Sequence, residues 1–332
     1  MKLMFYFFSL SGSSGGAERM LFDVAGAMLA RGHDVHVVSW DAPSATPSFY
    51  PLPPRAQWHR LGGDASAGVF SKLRRTVRLL HLLRREHPDL FVGFVMGADK
   101  SIYAANRLAR VPIVAAERNA PEMYRMRLSA PAARVYFALF GLCRGIAVQF
   151  ESYRRGYPHH LHDRIAVIPN AVRKATTLAE PGRPGERHTL LSVGRLSEQK
   201  RFDVLLDAFA SVAARFPDWS LRIVGEGPER AALEARVRAG GLEGRAALPG
   251  AVVAIENEYA RAHGFALASR WEGFPNALAE ALAHGLPSVG FAACPGVNEL
   301  IVPGTNGWLA AGVDDAPALA AALADLMSDA DA

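Results

Sequence analysis

The run Gly264-Phe265-Ala266-Leu267-Ala268, followed by Trp271-Glu272-Gly273-Phe274-Pro275-Asn276-Ala277-Leu278-Ala279-Glu280, decides the fold. The first five residues are small or apolar without alternation, which predicts a strand buried on both faces of a parallel sheet. A helical pattern follows through Ala283. Pro275 fits the first helical turn, where its missing N–H costs nothing. The N–H groups of Phe274, Asn276 and Ala277 then lie near a helix N-terminus without intrahelical partners. Such an end favours anions and can donate to sugar hydroxyls. Glu272 precedes the helix, and Glu280 comes about two turns later on nearly the same face. Two carboxylates around that cluster can each grip a diol, one per sugar ring. An acidic first turn plus one solvated surface Glu is the plainer reading of the same spacing.

Strand–loop–helix units of this kind recur along the chain. Leu3–Ser9 reads as a buried strand, Ser11-Gly12-Ser13-Ser14-Gly15-Gly16 as a flexible loop, Ala17–Ala30 as a helix and Asp34–Trp40 as a second strand. Pro43–Pro54 is rich in Pro and Ser and irregular. Phe70–His87 is an amphipathic helix with a basic face of Lys72, Arg74, Arg75, Arg78, Arg84 and Arg85. Further strands are expected at Leu90–Val95, Pro112–Ala116, Gly145–Gln149 and Ile165–Ile168, with helices at Ser101–Ala109 and Ala130–Leu142. Arg173–Arg187 has a linker composition. The same grammar then restarts. Strands are expected at Thr189–Val193, Ser220–Val224, Ala246–Leu248, Gly264–Ala268 and Ser288–Phe291. Helices are expected at Phe202–Arg215, Glu229–Ala239, Val253–Ala262 and Pro317–Met327. The fold class is therefore α/β, with two Rossmann-like doubly wound domains facing a cleft: 1–172, a linker at 173–187, and 188–332. Ligands in such sheets bind beyond the carboxyl ends of the strands.

The chain has 332 residues, 50% of them hydrophobic by count, enough for two cores. Cys143 and Cys294 show no metal or redox spacing and read as buried free thiols of a reducing compartment. The formal net charge is +5. That modest excess suits a phosphate-bearing substrate, an anionic membrane surface or an ordinary basic protein. No apolar run approaches the ~18 residues of a membrane span. Met1 to Leu10 imitates a signal peptide, but its apolar core is only about eight residues, and a first buried strand is the better reading.

Four further segments carry chemistry. Gly194-Arg195-Leu196-Ser197-Glu198-Gln199-Lys200 follows a strand end and places two cations together. Val224-Gly225-Glu226-Gly227-Pro228 also follows a strand; it lacks a third glycine and is not a dinucleotide fingerprint. Gly15-Gly16-Ala17-Glu18-Arg19 opens a helix, where glycines allow close backbone approach. Glu117-Arg118-Asn119 ends a first-half strand, and Glu117 and Arg118 either touch a ligand or pair with each other. The sequence shows no His/Asp/Glu cluster at metal spacing. His159, His160 and His162 crowd into what reads as a polar, solvated turn.

The stretch Glu272 to Glu280 resembles the Glu-x7-Glu motif of the retaining family 4 glycosyltransferases, which often write it E-G-F-P-N-x-L-x-E. Gly194–Lys200 resembles the family's G-R-L-x-x-x-K, and Gly225–Pro228 its G-x-G-P. The resemblance covers nearly the whole chain and is most specific over 189–308. It implies a GT-B fold and transfer with retention at the anomeric carbon. It also implies roles. Glu272, Arg195 and Lys200 are catalytic, with the two cations stabilising charge on a departing β-phosphate. Glu280 binds ribose hydroxyls, and Gly273, Phe274 and Asn276 present backbone groups to the sugar or phosphate. Gly225 and Pro249 lie near the nucleotide, and Gly15 and Gly16 form the glycine-rich first loop. Glu117, Arg118 and Asn119 are acceptor-side candidates.

The activity implied is hexosyl or N-acetylhexosaminyl transfer from a nucleotide sugar, with a UDP-sugar first. The acceptor expected is a lipid-linked or polysaccharide saccharide. No metal and no other cofactor is expected, and no nucleic-acid partner. The alternatives are a GDP-mannose-dependent mannosyltransferase, a nucleotide-sugar binding protein without turnover, and an epimerase of the same fold. A cytoplasmic location is expected, with contact to an anionic membrane through Lys72, Arg74, Arg75 and Arg78. The family's closing C-terminal helix is expected to be missing after Met327.

Overall fold

The computed structural model describes residues 1–12, 15–62, 68–180 and 187–329. The central part of the expected linker, 181–186, and Ser13 and Ser14 of the first loop therefore lie outside the described residues. The chain divides into two compact units, Met1–Asn170 and Ala171–Ala332.

Unit 1 is a parallel sheet with the strand order β3-β2-β1-β4-β5-β6-β7. Its elements are β1 (Lys2–Tyr6), α1 (Gly16–Ala30), β2 (Asp34–Ser39), β3 (Gln57–Arg60), α2 (Val69–Glu86), β4 (Leu90–Phe94), α3 (Lys100–Ala109), β5 (Ile113–Ala116), α4 (Pro121–Arg127), α5 (Ala130–Phe140), β6 (Gly145–Val148), α6 (Glu151–Gly156) and β7 (Ile165–Val167). The residues of β1 after Lys2 are all apolar or aromatic, and both faces of the strand are buried. Leu3 and Phe5 pack with Met20, Leu21 and Phe22 of α1. Met4 and Tyr6 face the other way, into a core with Leu79, Leu82 and Leu83 of α2.

The helix expected at 70–87 is present as α2, but its basic face needs correction. Lys72, Arg74 and Arg78 are not in the core, whereas Arg75 is buried. The Arg75 guanidinium lies 5.6 Å from the Phe8 ring and 5.5 Å from Trp40, and 3.7 Å from the Asp99 carboxylate. Arg75 falls on the inward stripe of the helix with Leu79 and Leu82.

Unit 2 has the order β10-β9-β8-β11-β12-β13, again parallel. Its elements are β8 (His188–Val193), α7 (Phe202–Ala213), β9 (Trp219–Val224), α8 (Arg230–Ala239), β10 (Ala246–Gly250), α9 (Ile255–Arg261), β11 (Gly264–Leu267), α10 (Asn276–Ala283), β12 (Ser288–Phe291), β13 (Gly307–Ala310) and α11 (Ala316–Ser328). In α7 the buried Phe202, Leu205, Leu206, Phe209 and Val212 repeat at helical spacing. Asp315 caps α11 by accepting the Ala318 N–H at 2.9 Å, and Pro317 occupies its first turn.

The ladder continues past the strands into the loops. Gly194 N–H donates to Val224 O at 3.0 Å, Leu196 N–H to Glu226 O at 2.9 Å, and Gly225 N–H to Gly250 O at 2.9 Å. Gly225 has φ +150°, and a Cβ there would collide with the Gly194 carbonyl. Close approach of two chain segments thus explains the glycine at this position.

Four elements have no clear signal in the sequence: β3, β13, α4 and α6. The two strands span four residues each at sheet edges. Gln57-Trp58-His59-Arg60 carries no apolar run, since an edge strand buries little. The two helices have seven and six residues, too short to show a period.

Gly225→Ala should destabilise unit 2 by on the order of 3 kcal/mol, because the backbone on both sides must shift. Gly244→Ala, at φ +75° but with open space around it, should cost about 1 kcal/mol. Urea unfolding of the two variants checks the contrast; equal losses would remove the close-approach explanation.

Candidate active site

Unit 2 reverses its strand order between β8 and β11. From β8 the chain proceeds outward to β9 and β10; from β11 it proceeds the other way to β12 and β13. In open α/β sheets the crevice beyond the carboxyl ends of two such strands is where ligands bind. The loop after β8 carries Gly194 to Lys200, and the loop after β11 carries Trp271 to Pro275.

A bond joins these loops. Lys200 Nζ donates to Glu272 Oε1 at 2.6 Å. Both side chains are largely buried, at 17% and 7% exposure. Backbone and amide bonds fix the same junction: Gln199 Nε2–H donates to Trp271 O at 2.8 Å, and Arg270 N–H to Gln199 O at 3.0 Å. Glu272 N–H donates to Pro295 O at 3.0 Å, which ties the loop to the segment after β12. Lys200 ends a short 3-10 turn, Glu198–Lys200, and the left-handed Arg201 follows with φ 49°. A Cβ on Gly194 would sit 3.2 Å from Lys200 Cε, so the bare glycine leaves room for the lysine stem. Removing one partner of so buried a pair strands the other charge, at a cost of about 3–5 kcal/mol.

Cys294 is buried and feels the charges of this pair. Burial first, and the Glu272 charge second, push its thiol well above the usual range. It is an inert thiol.

Pro275 is the N-cap of α10, one position before the first turn where the sequence placed it. The Asn276 N–H donates to Phe274 O at 2.9 Å. This corrects the expectation that the Asn276 N–H lacks a partner: the proline kinks the entry into a tight turn that uses that donor itself. Glu280 is held from α9. The Tyr259 hydroxyl donates to Glu280 Oε2 at 3.0 Å, and the Tyr259 ring stacks on His284 at 5.0 Å. His284 Nδ1 lies 2.7 Å from Glu280 O. Tyr259 and His284 hold Glu280 in place and lie outside the motifs. His284 stands at i+4 from Glu280, a visible signal; Tyr259 arrives from another helix, for which the sequence has none.

The remaining candidates of unit 2 are less concentrated. Arg195 is exposed and pairs with no carboxylate among the described residues. Pro249 is exposed on β10, where the register shifts between Ala247 and Gly250. The carbonyl of Leu248 accepts from Arg230 Nη1 at 3.1 Å.

In unit 1 the order reverses between β1 and β4. The loop after β1 is pinned by Asp41, which accepts from Ser9 Oγ at 2.6 Å and Leu10 N–H at 2.8 Å. Burial raises the Asp41 pKa, but these donors outweigh it and hold the carboxyl below its usual range. Gly15 is the N-cap of α1 and Gly16 its first residue.

Glu117 and Arg118 do not pair with each other. Fully buried, Glu117 accepts from the hydroxyls of Tyr124 and Tyr136, the latter at 3.1 Å. Arg118 Nη1 donates to Asn170 Oδ1 at 3.0 Å, and the guanidinium carbon of Arg118 lies 4.8 Å from the centre of the Phe94 ring. Asn119 Nδ2 donates to the Tyr124 hydroxyl at 3.4 Å. The triplet thus serves an internal polar network in this structure. His159, His160 and His162 lie on a 3-10 helix, His159–Arg164, in place of the expected turn, and His162 Nε2 lies 3.0 Å from Tyr157 O.

Burial holds the Glu117 carboxyl above its usual range, against the lowering effect of the two tyrosines. Between the unfolded and folded pKa values the folded state binds the extra proton. Stability from this group is therefore full below the unfolded pKa and lost as pH rises through the folded one. Glu117→Gln should keep the fold and flatten that decline. Thermal melts of both proteins from acid to neutral pH check it; parallel curves would show that Glu117 is ionised in the folded state.

Two family descriptions match the chain: "Glycosyltransferase Family 4" over residues 14–175, and "Glycosyl transferases group 1" over residues 187–329. An uncharacterised glycosyltransferase of Haemophilus influenzae is 27% identical over 317 residues, covering 93% of this chain and 86% of that one. A lipopolysaccharide 1,6-galactosyltransferase of Salmonella typhimurium is 31% identical over 151 residues, covering 44% of this chain and 41% of its own. The fold is shared with the crystal structure of Anabaena HepE in complex with UDP and glucose. That likeness has a TM-score of 0.81 at 21% identity, over 100% of this chain and 91% of that one. The chain thus joins a glycosyltransferase family 4 domain to a glycosyl transferases group 1 domain, and its two sheets are those of the GT-B fold.

Proposed function

We propose that this protein is a retaining glycosyltransferase that moves a hexose or N-acetylhexosamine from a UDP-sugar to a lipid-linked or polysaccharide acceptor. The observation that carries the reading is the Lys200–Glu272 bond at the unit 2 switch point. A cation and a carboxylate stand there in contact, where a sugar diphosphate would need one of each. Anabaena HepE, of the same fold, has been crystallised with UDP and glucose, and the Salmonella relative carries a galactosyltransferase name.

On donor binding Lys200 turns from Glu272 to the diphosphate, and Glu272 takes hydroxyls of the donor sugar in exchange. Each charge then keeps a partner throughout. Glu280, oriented by Tyr259, takes the ribose hydroxyls. Arg195, exposed on the same loop as Lys200, adds a second cation. In the transfer step the acceptor oxygen bonds to the anomeric carbon on the face from which the phosphate departs. The bond between that carbon and the β-phosphate oxygen breaks, and the acceptor proton passes to the departing phosphate. Lys200 and Arg195 stabilise the charge that develops on it. In this reading the chain's own cations do what a divalent metal does elsewhere, and no separate base is required.

Glu280→Ala should weaken UDP binding by roughly tenfold, the loss of about 1.4 kcal/mol. Lys200→Met should lower kcat by about 100-fold or more with a smaller effect on affinity. Calorimetry with UDP and single-turnover assays with a labelled UDP-sugar check both. Wild-type affinity in the first variant and wild-type turnover in the second would refute the assignment.

The acceptor class is supported by α2. Phe70, Leu73 and Val77 are exposed at 84%, 60% and 43%, and lie on the same helix as the basic Lys72, Arg74 and Arg78. Apolar and cationic side chains so placed suit the interface of an anionic bilayer. Among the described residues no helix is long and apolar enough to cross a membrane. The chain should sediment with phosphatidylglycerol vesicles and not with phosphatidylcholine vesicles, and Leu73→Glu should abolish the difference. Equal sedimentation of variant and parent would dismiss α2 as the contact.

A further inference from the structure

A second group of side chains lies in unit 1, on the side of the sheet that α2 covers. His36 on β2 and His59 on β3 face one another, with Glu86 at the last turn of α2 beside them. The register places Gln57 opposite His36 and His59 opposite Val38, so both imidazoles project from one face. His36 Nδ1 lies 2.8 Å from His59 Nε2 and 3.8 Å from Glu86 Oε2. The three ligand atoms all lie within 4.8 Å of one another. In sequence these residues are too far apart to show a metal spacing; parallel pairing of β2 with the edge strand β3 assembles them.

We propose that His36, His59 and Glu86 form a zinc site that clamps β3 to α2. Two imidazoles and one carboxylate are a ligand set zinc favours, with one position left for water. The other ring nitrogen of His36 supports the assignment. Its Nε2 lies 3.4 Å from Asp34 Oδ2, so the carboxylate takes the proton on that side and turns the Nδ1 lone pair toward His59 and Glu86. A carboxylate behind a ligating imidazole is the usual way its tautomer is fixed. His36 is almost wholly buried at 1% exposure, which holds its ring in place.

Lys2 Nζ lies 3.7 Å from Glu86 Oε2 and 3.8 Å from Asp34 Oδ2. Partly exposed, it keeps Asp34 and yields Glu86 to the cation. The imidazole nitrogens need to part only from 2.8 Å to about 3.3 Å, the edge of a tetrahedron with bonds near 2.0 Å. The site stands away from the carboxyl end of β2, where Asp41 pins the loop after β1, so its role is structural and separate from transfer.

Untagged full-length protein, stripped with chelator, provides the test. Calorimetry should show one Zn²⁺ per chain, and Co²⁺ should give the visible absorption of a four-coordinate site. Saturating Zn²⁺ should raise the melting temperature by on the order of 5 °C. His59→Ala should abolish the Co²⁺ band and weaken Zn²⁺ by about 100-fold or more, and Asp34→Asn should weaken it roughly tenfold. If His59→Ala fails to fold, Glu86→Gln at the helix end carries the same expectation of lost binding. His160→Ala should bind as the parent does. Absence of Zn²⁺ uptake by the parent, or parental affinity in both ligand variants, would overturn the proposal.

Discussion

Unit 2 depends on one contact, the salt bridge between a lysine after the first strand of its sheet and a glutamate after the fourth. Lys200 and Glu272 are 72 positions apart, yet their 2.6 Å bond closes the gap where the sheet changes winding direction. Everything near it is arranged to make the bond possible. Gly194 leaves room for the lysine stem, Gln199 and Arg270 stitch the two loops together, and Pro295 accepts the backbone of the glutamate. The pair is too buried to be a surface ornament and too polar to be a packing device. Two opposite charges kept in contact inside a loop junction are costly to arrange, and such arrangements persist where the charges are used.

The two units place their buried polar groups differently. In unit 2 the charged pair sits beyond the strand ends. In unit 1 the strand end after β5 turns inward: Glu117 disappears beneath Tyr124 and Tyr136, and Arg118 reaches for Asn170. A carboxyl that accepts from phenols and sits in an aromatic cluster stiffens the strand end more than it attracts a ligand. The same three residues can satisfy either description in a sequence, because nothing in Glu-Arg-Asn states which way the strand will present them.

The fold is legible because its strands are short apolar blocks and its helices carry a clear period. The apolar block of β11 and the 3.6 spacing of α7 identify themselves. The features that do not show are polar, short or remote. β3 reads as Gln-Trp-His-Arg because it lies at an edge, and only its pairing with β2 reveals it as a strand. Arg75 reads as part of a basic face, and only packing against Phe8 and Trp40 shows it to be interior. In the site, Glu272, Lys200 and Glu280 are legible as types at spacings. Their partners are not: Tyr259 comes from a separate helix, and the Asn276 N–H is taken up within its own turn.

If Glu280 binds the donor as proposed, the hydroxyl of Tyr259 has a consequence for ligand recognition. A glutamate on an open helix face samples many side-chain torsions, and a ligand that binds it must first freeze them. Here a phenol from the neighbouring helix, itself wedged against an imidazole, has already selected the torsion during folding. The entropy loss therefore belongs to the folding of the domain, and a disturbance of α9 far from any ligand would reappear as looser recognition at α10.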